Sequence, residues 1–131
     1  MADRYLIDTH CWLWWNAEPE RLQHAAHDVI ADGKNTILLS SASAWEISIK
    51  HALGKLRLPG PPESYVPKRL ESNCMTVLPI TLHHALSVSS LPPLHRDPFD
   101  RLLIAQARIE DLTIITADKA IEQYEVPVLS A

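Results

Sequence analysis

Four acidic side chains stand where apolar runs give way to helix-forming segments: Asp8, Glu46, Asp100 and Asp118. Asp8 closes the run Tyr5-Leu6-Ile7, Asp118 follows the run Thr113 to Thr116, and Glu46 and Asp100 fall in the first turns of predicted helices. All four can therefore face one crevice. Gathered without a cation they would conflict, because a pair of like charges about 4 Å apart repels by roughly 4 kcal/mol at a surface-like dielectric. A divalent cation removes that conflict. Carboxylate oxygens without thiolates or a histidine triad favour Mg²⁺ or Mn²⁺ over zinc, and Mg²⁺ keeps several waters and binds substrate phosphate. The chemistry this suits is phosphodiester hydrolysis. The seven histidines show no ligand spacing, so a histidine metal site is not expected.

Each acid also has an ordinary reading. Asp8 alone is a typical turn residue, and Asp118 can cap the helix that follows it. Glu46 precedes Lys50 by four residues, which on one helix makes an exposed ion pair worth roughly 0.3 kcal/mol. Asp97-Pro98-Phe99-Asp100 reads as a helix start, with Asp97 as N-cap and Asp100 welcome near the helix N-terminus for dipole reasons alone. Their shared placement at one sheet edge is what singles them out.

The elements that must position these acids alternate. Strands are predicted at Tyr5 to Ile7, Thr36 to Leu39, Met75 to Ile80, Thr113 to Thr116 and Val126 to Leu129. Helices are predicted through the Trp-rich stretch after Thr9, from Pro19 to Gly33, through Trp45 to about Leu53, around Ser64 to Glu71, from Thr81 through Val88, from Asp97 to about Glu110, and briefly after Asp118. Strand and helix by turns imply an α/β fold with a mostly parallel sheet covered by helices on both faces. Ligands in such sheets bind beyond the carboxyl ends of the strands, where Asp8 and Asp118 lie.

The 131 residues, 47% apolar and 21% charged, suit a single domain over 1–131 with one core and no disordered tail. No segment approaches the apolar length of a membrane span, and no basic start leads into an apolar stretch, so the expectation is a cytoplasmic protein. Cys11 and Cys74 have no paired spacing and read as buried thiols. A net charge of -4 does not suit blanket neutralisation of phosphates. A bound cation would supply what the chain lacks. Lys50, His51, Lys55 and Arg57 form the densest basic stretch, and Arg96 and Arg101 flank the third acid; these can meet phosphates or simply lie on a solvated face. Trp12, Trp14 and Trp15 exceed what one helix needs for its core and suggest a protein contact.

Four blocks then carry a resemblance across nearly the full length: Leu6-Ile7-Asp8-Thr9-His10, Ser41-Ala42-Ser43-Ala44-Trp45-Glu46-Ile47, His95-Arg96-Asp97-Pro98-Phe99-Asp100-Arg101-Leu102-Leu103-Ile104-Ala105-Gln106-Ala107, and Ile114-Ile115-Thr116-Ala117-Asp118. With these blocks the chain resembles the PIN-domain nucleases, in particular the VapC-like toxins of bacterial toxin–antitoxin pairs. The resemblance implies a PIN-like three-layer sandwich and a Mg²⁺-dependent endoribonuclease, with Mn²⁺ as a possible substitute. It also implies that Asp8, Glu46, Asp100 and Asp118 hold the metal, with Thr9 and Thr116 beside them and Asp97 in an outer role. RNA as substrate, a cognate antitoxin and a homodimer follow from the resemblance alone. Two other readings compete with this one. A catalytically silent binding module on the same fold is argued against by the presence of all four acids. An aspartyl-phosphate phosphotransferase would want a second Asp where this chain has His10.

Overall fold

A computed structural model describes residues 3–131. Five strands, β1 (Arg4–Ile7), β2 (Thr36–Ser40), β3 (Thr76–Leu78), β4 (Thr113–Thr116) and β5 (Val128–Ser130), form one sheet in the order β3-β2-β1-β4-β5, and every neighbouring pair is parallel. Parallel neighbours need crossovers, supplied by α1 (Thr9–Ala17), α2 (His24–Ala31), α3 (Ser41–Ala52), α4 (Pro62–Asn73), α5 (Leu82–Ser87) and α6 (Pro98–Glu110).

Adjacent residues on each central strand serve opposite faces, as the pleat demands. Leu6, Leu38 and Ile114 enter one core with Leu103 and Ile104 of α6, whereas Ile7, Leu39 and Ile115 enter the other with Trp12 of α1, Ile47 of α3 and Val66 and Leu70 of α4. The sheet is therefore the middle of three layers, as expected. The chain leaves β1 for β2 on one side and later returns to β4 on the other, so the order reverses between β1 and β4. Beyond their carboxyl ends lies the crevice that such a reversal opens.

Several expectations need correcting. The helix predicted from Pro19 to Gly33 is a 3₁₀ turn, Pro19–Arg21, then extended Leu22 and Gln23, then α2. That break lets Leu22 turn into the core, where it is 6% exposed. The helix predicted around Ser64 to Glu71 extends to Pro62–Asn73, with Pro67 inside it; Pro67 is exposed, so the Glu63 carbonyl it leaves without a partner can turn to water. The strand predicted at Met75 to Ile80 contracts to three residues at the sheet edge, and the segment after Asp118 makes only a 3₁₀ turn, Ile121–Gln123.

Cys11 is buried as expected, but Cys74 is exposed: it ends α4 in the left-handed conformation, φ 56°, next to that edge strand. Of the tryptophan group, one is in the core and two are half-buried. Trp12 is fully buried, Trp14 carries the Arg21 guanidinium 4.6 Å from its ring, and Trp15 lies 5.1 Å from the His27 ring. The exposed tryptophan is Trp45, edge-to-face with Phe99. Among the described residues no helix is long and apolar enough to cross a membrane.

Candidate active site

Asp8 emerges from β1 and caps α1, its Oδ1 accepting the Cys11 N–H at 2.8 Å. Its Oδ2 accepts the Thr116 hydroxyl, and the same Thr116 oxygen accepts the Asp118 N–H at 3.0 Å. One threonine at the end of β4 thus ties the acids of two neighbouring strands together. Burial raises the Asp8 carboxyl above its ordinary value, and the Thr116 and Cys11 donors offset only part of that. Thr9 takes another course: its hydroxyl donates to Ser43 Oγ at 2.9 Å and joins α1 to α3 in the buried layer below.

Asp97 caps α6, accepting the N–H groups of Phe99 at 2.8 Å and Asp100 at 3.3 Å. This satisfies the expected cap and places a second negative charge beside Asp100. Burial first, then the charges of Asp97 and Asp8, with Glu46 adding to them and His95 opposing, raise the Asp100 carboxyl from 3.8 to about 7. Asp118 differs. Burial works to raise it, but the His95 ring and the Ala120 N–H, which Oδ1 accepts at 2.9 Å, hold it below its ordinary value.

Ser40, one of the three serines able to cap this helix, is its N-cap, and that start puts Glu46 in the second turn of α3 rather than the first. Glu46 does pair with Lys50, at 2.6 Å, yet its side chain is only 3% exposed, so the pair is not a solvated surface contact. Glu46 Oε2 takes the lysine, and the Glu46 bond raises Lys50, keeping the ammonium charged. Oε1 is buried with no hydrogen-bond partner. Asp100 and Lys50 both feel Glu46 and Asp97, so the glutamate belongs to the same electrostatic cluster.

The donor set fits a hard divalent cation. A buried carboxylate oxygen without a partner costs on the order of 1–3 kcal/mol or more, and Glu46 Oε1 is such an atom. Asp100, ionised only near neutrality among three other acids, is equally short of positive charge. Asp8 and Asp118 line one cleft with His10, Trp14 and Ala117. No thiol joins them, since burial and the Asp8 charge hold the Cys11 thiol protonated.

Sequence reasoning missed His95. Its Nε2 lies 2.8 Å from Asp118 Oδ2 and 3.0 Å from Asp100 Oδ2, so one histidine and two acids converge closely enough to share an ion. No periodicity marks a residue in a proline-rich loop. The available signal was its position two residues before a helix cap. Arg101, considered for phosphate contact, is committed elsewhere: its guanidinium donates to the carbonyls of Val88, Leu91, Pro92 and His95 and to Tyr124 Oη. Arg96 is exposed. Of the basic stretch, Lys50 and Lys55 line a cleft with His10 and Leu13, and Arg57 lines the next one along α1.

An all-parallel α/β sheet with acids gathered beyond its point of reversal defines a class of protein that works on ligands at that crevice. A family model described as PIN domain matches residues 5–127, and the chain belongs to that family. Ribonuclease VapC22 of Mycobacterium tuberculosis is 29% identical over 123 residues, covering 93% of this chain and 92% of that protein. Ribonuclease VapC16 of the same organism is 51% identical over 57 residues, a match spanning 44% of this chain and 39% of that relative's length. Among solved structures, VapBC2 from Rickettsia felis bound to a promoter DNA fragment matches with a TM-score of 0.73 at 15% identity, over 97% of this chain and 98% of that one. FitAB bound to the IR36 DNA fragment matches with a TM-score of 0.63 at 16% identity, over 96% of this chain and 94% of that one. At these identities the two structures speak for the fold.

Proposed function

We propose that the chain is a metal-dependent endoribonuclease and the toxin of a toxin–antitoxin pair, with Asp8, Glu46, Asp100 and Asp118 as ligands of Mg²⁺, for which Mn²⁺ can substitute. The observation that carries this reading is the short supply of positive charge at the crevice: an unpartnered buried Glu46 Oε1 beside an Asp100 whose carboxyl titrates at about 7. When bound, the cation supplies a water made acidic enough to attack and a positive centre for the phosphoryl and leaving oxygens.

The chain's own residues do the rest. Thr116 fixes the rotamer of Asp8 through Oδ2 while the Cys11 N–H fixes Oδ1, and the carboxylate so held lines the cleft with Asp118. Lys50 holds Glu46 Oε2 and leaves Oε1 free. Lys55 and Arg57, along the clefts beside α1, suit the phosphates that flank a cleaved bond.

RNA as the substrate is supported by the two relatives named as ribonucleases, and an antitoxin partner by the VapBC and FitAB complexes. The homodimer belongs to the same proposal. Exposed Leu82 and Leu86, one turn apart on α5, offer apolar surface for it.

The test is cleavage of RNA in vitro. Activity in Mg²⁺ should vanish with EDTA and with Asp8→Asn, and cutting that survives either change sinks the mechanism. A silent binding module would instead show no heat of Mg²⁺ binding in calorimetry.

A further inference from the structure

We propose that His95 is a positioning residue of the metal site: its Nε2–H donates to Asp118 while the ring lies against Asp100, which sets the spacing of the two acids with the imidazole outside the coordination shell. This rests on the metal-dependent reading above and adds to it a residue that none of the four acids implies.

The ring's two nitrogens have different partners, and these assign the tautomer. Nδ1 lies 3.1 Å from the backbone N–H of Asp97, which can only donate, so Nδ1 accepts and carries no hydrogen. The ring hydrogen is therefore on Nε2, which donates to Asp118 Oδ2 at 2.8 Å and lies 3.0 Å from Asp100 Oδ2. A metal bound at Nε2 would require the hydrogen on Nδ1, opposed to the Asp97 N–H. That backbone bond thus selects against ligation and for donation to a carboxylate.

The main chain of His95 is held with equal care. Its N–H donates to Tyr124 Oη at 2.8 Å and its carbonyl accepts Arg101 Nη1 at 3.3 Å. Tyr124 Oη also accepts the Leu94 N–H at 3.1 Å and donates to the Pro92 carbonyl at 2.8 Å. Arg101 and Tyr124 thereby fasten the whole 88–95 loop, and the side chain this loop sends into the acidic site is His95. The ring is nearly buried, with 14% of it exposed. Asp118 follows β4 and Asp100 lies in the first turn of α6, so the imidazole, hydrogen-bonded to Asp118 and 3.0 Å from Asp100, bridges two acids on separate elements.

The measurement is Mg²⁺ and Mn²⁺ affinity of the full chain by calorimetry, together with ¹⁵N spectra of the His95 ring with and without metal. His95→Ala should weaken metal binding about 10- to 100-fold. His95→Gln, which keeps an N–H donor near the Nε2 position, should recover most of that loss. In the wild-type spectrum the ring hydrogen should stay on Nε2 when metal is added. Unchanged or tighter binding by His95→Ala overturns the positioning role, and a metal-dependent move of the hydrogen to Nδ1 overturns it in favour of direct ligation. The wild-type spectrum decides the tautomer even where His95→Ala does not fold. Wild-type protein that binds no metal overturns both this inference and the proposed function. Metal-binding wild type with an indifferent His95→Ala overturns this inference alone.

Discussion

Replacing Asp100 with Asn should stabilise the metal-free protein, by an amount that grows from about pH 4 to about pH 7. The Asp100 carboxyl ionises at about 7 in the folded chain against 3.8 as its ordinary value. The sign follows from linkage: below about pH 4 the group is protonated in both states and costs nothing. As pH climbs the unfolded chain gives up this proton while the folded one keeps it, so stability falls, and above about pH 7 the loss levels off at roughly 4 kcal/mol. Asn keeps the shape but forfeits the favourable charge at the α6 N-terminus, worth about 0.3–1 kcal/mol, and the contact with His95. A net gain of about 2–3 kcal/mol at about pH 8 remains, or about 6–12 °C in Tm for a domain of this size. Denaturation in EDTA at about pH 4 and about pH 8, followed by circular dichroism, reads both arms. Equal stability of Asp100→Asn and wild type at the higher pH, or the same gain at both, refutes the account of a strained acidic cluster. With Mg²⁺ present the order should reverse if Asp100 is the ligand proposed, because the substitution then removes the stabilisation that binding brings.

Thr116→Val keeps the β-branched shape in β4 but removes the one hydroxyl shared by Asp8 and the Asp118 backbone; RNA cleavage should fall about 10-fold or more while the far-ultraviolet spectrum is unchanged. Tyr124→Phe strips the hydroxyl from the Leu94 and His95 N–H groups, Arg101 and the Pro92 carbonyl, and should cost about 1–3 kcal/mol in urea denaturation. It should also weaken Mg²⁺ binding through the displaced His95, which calorimetry measures.

Much of this arrangement was legible in the residues. The apolar runs at Tyr5 to Ile7, Thr36 to Leu39 and Thr113 to Thr116 are central strands buried on both faces, so they carry a strong signal, and the acids that follow them stand at strand ends as expected. Asp97 as a cap was readable because capping is local. Less local features were not. The break at Leu22 depends on where the core lies rather than on periodicity, and the exposure of Cys74 depends on β3 being an edge. His95 and Arg101 take their roles from Tyr124, which lies 29 and 23 residues further along the chain, and no spacing rule reaches across such a loop. Glu46 shows the middle case: its pairing with Lys50 was visible, but its burial, which changes the meaning of the pair, was not.

The reversal of strand order between β1 and β4 also bears on synthesis. Asp8, just past β1, and Thr116, at the end of the paired β4, lie 108 residues apart, and Asp100 and Asp118 belong to the same late segment. A chain growing from its N-terminus can pair β1 with β2 early, because their closure is short. Its acidic site cannot close until β4 has docked against β1, the contact with the greatest loop-closure cost in the sheet. A nascent chain bearing Asp8 and Glu46 thus lacks the other half of the proposed site, which forms only once β4 has docked.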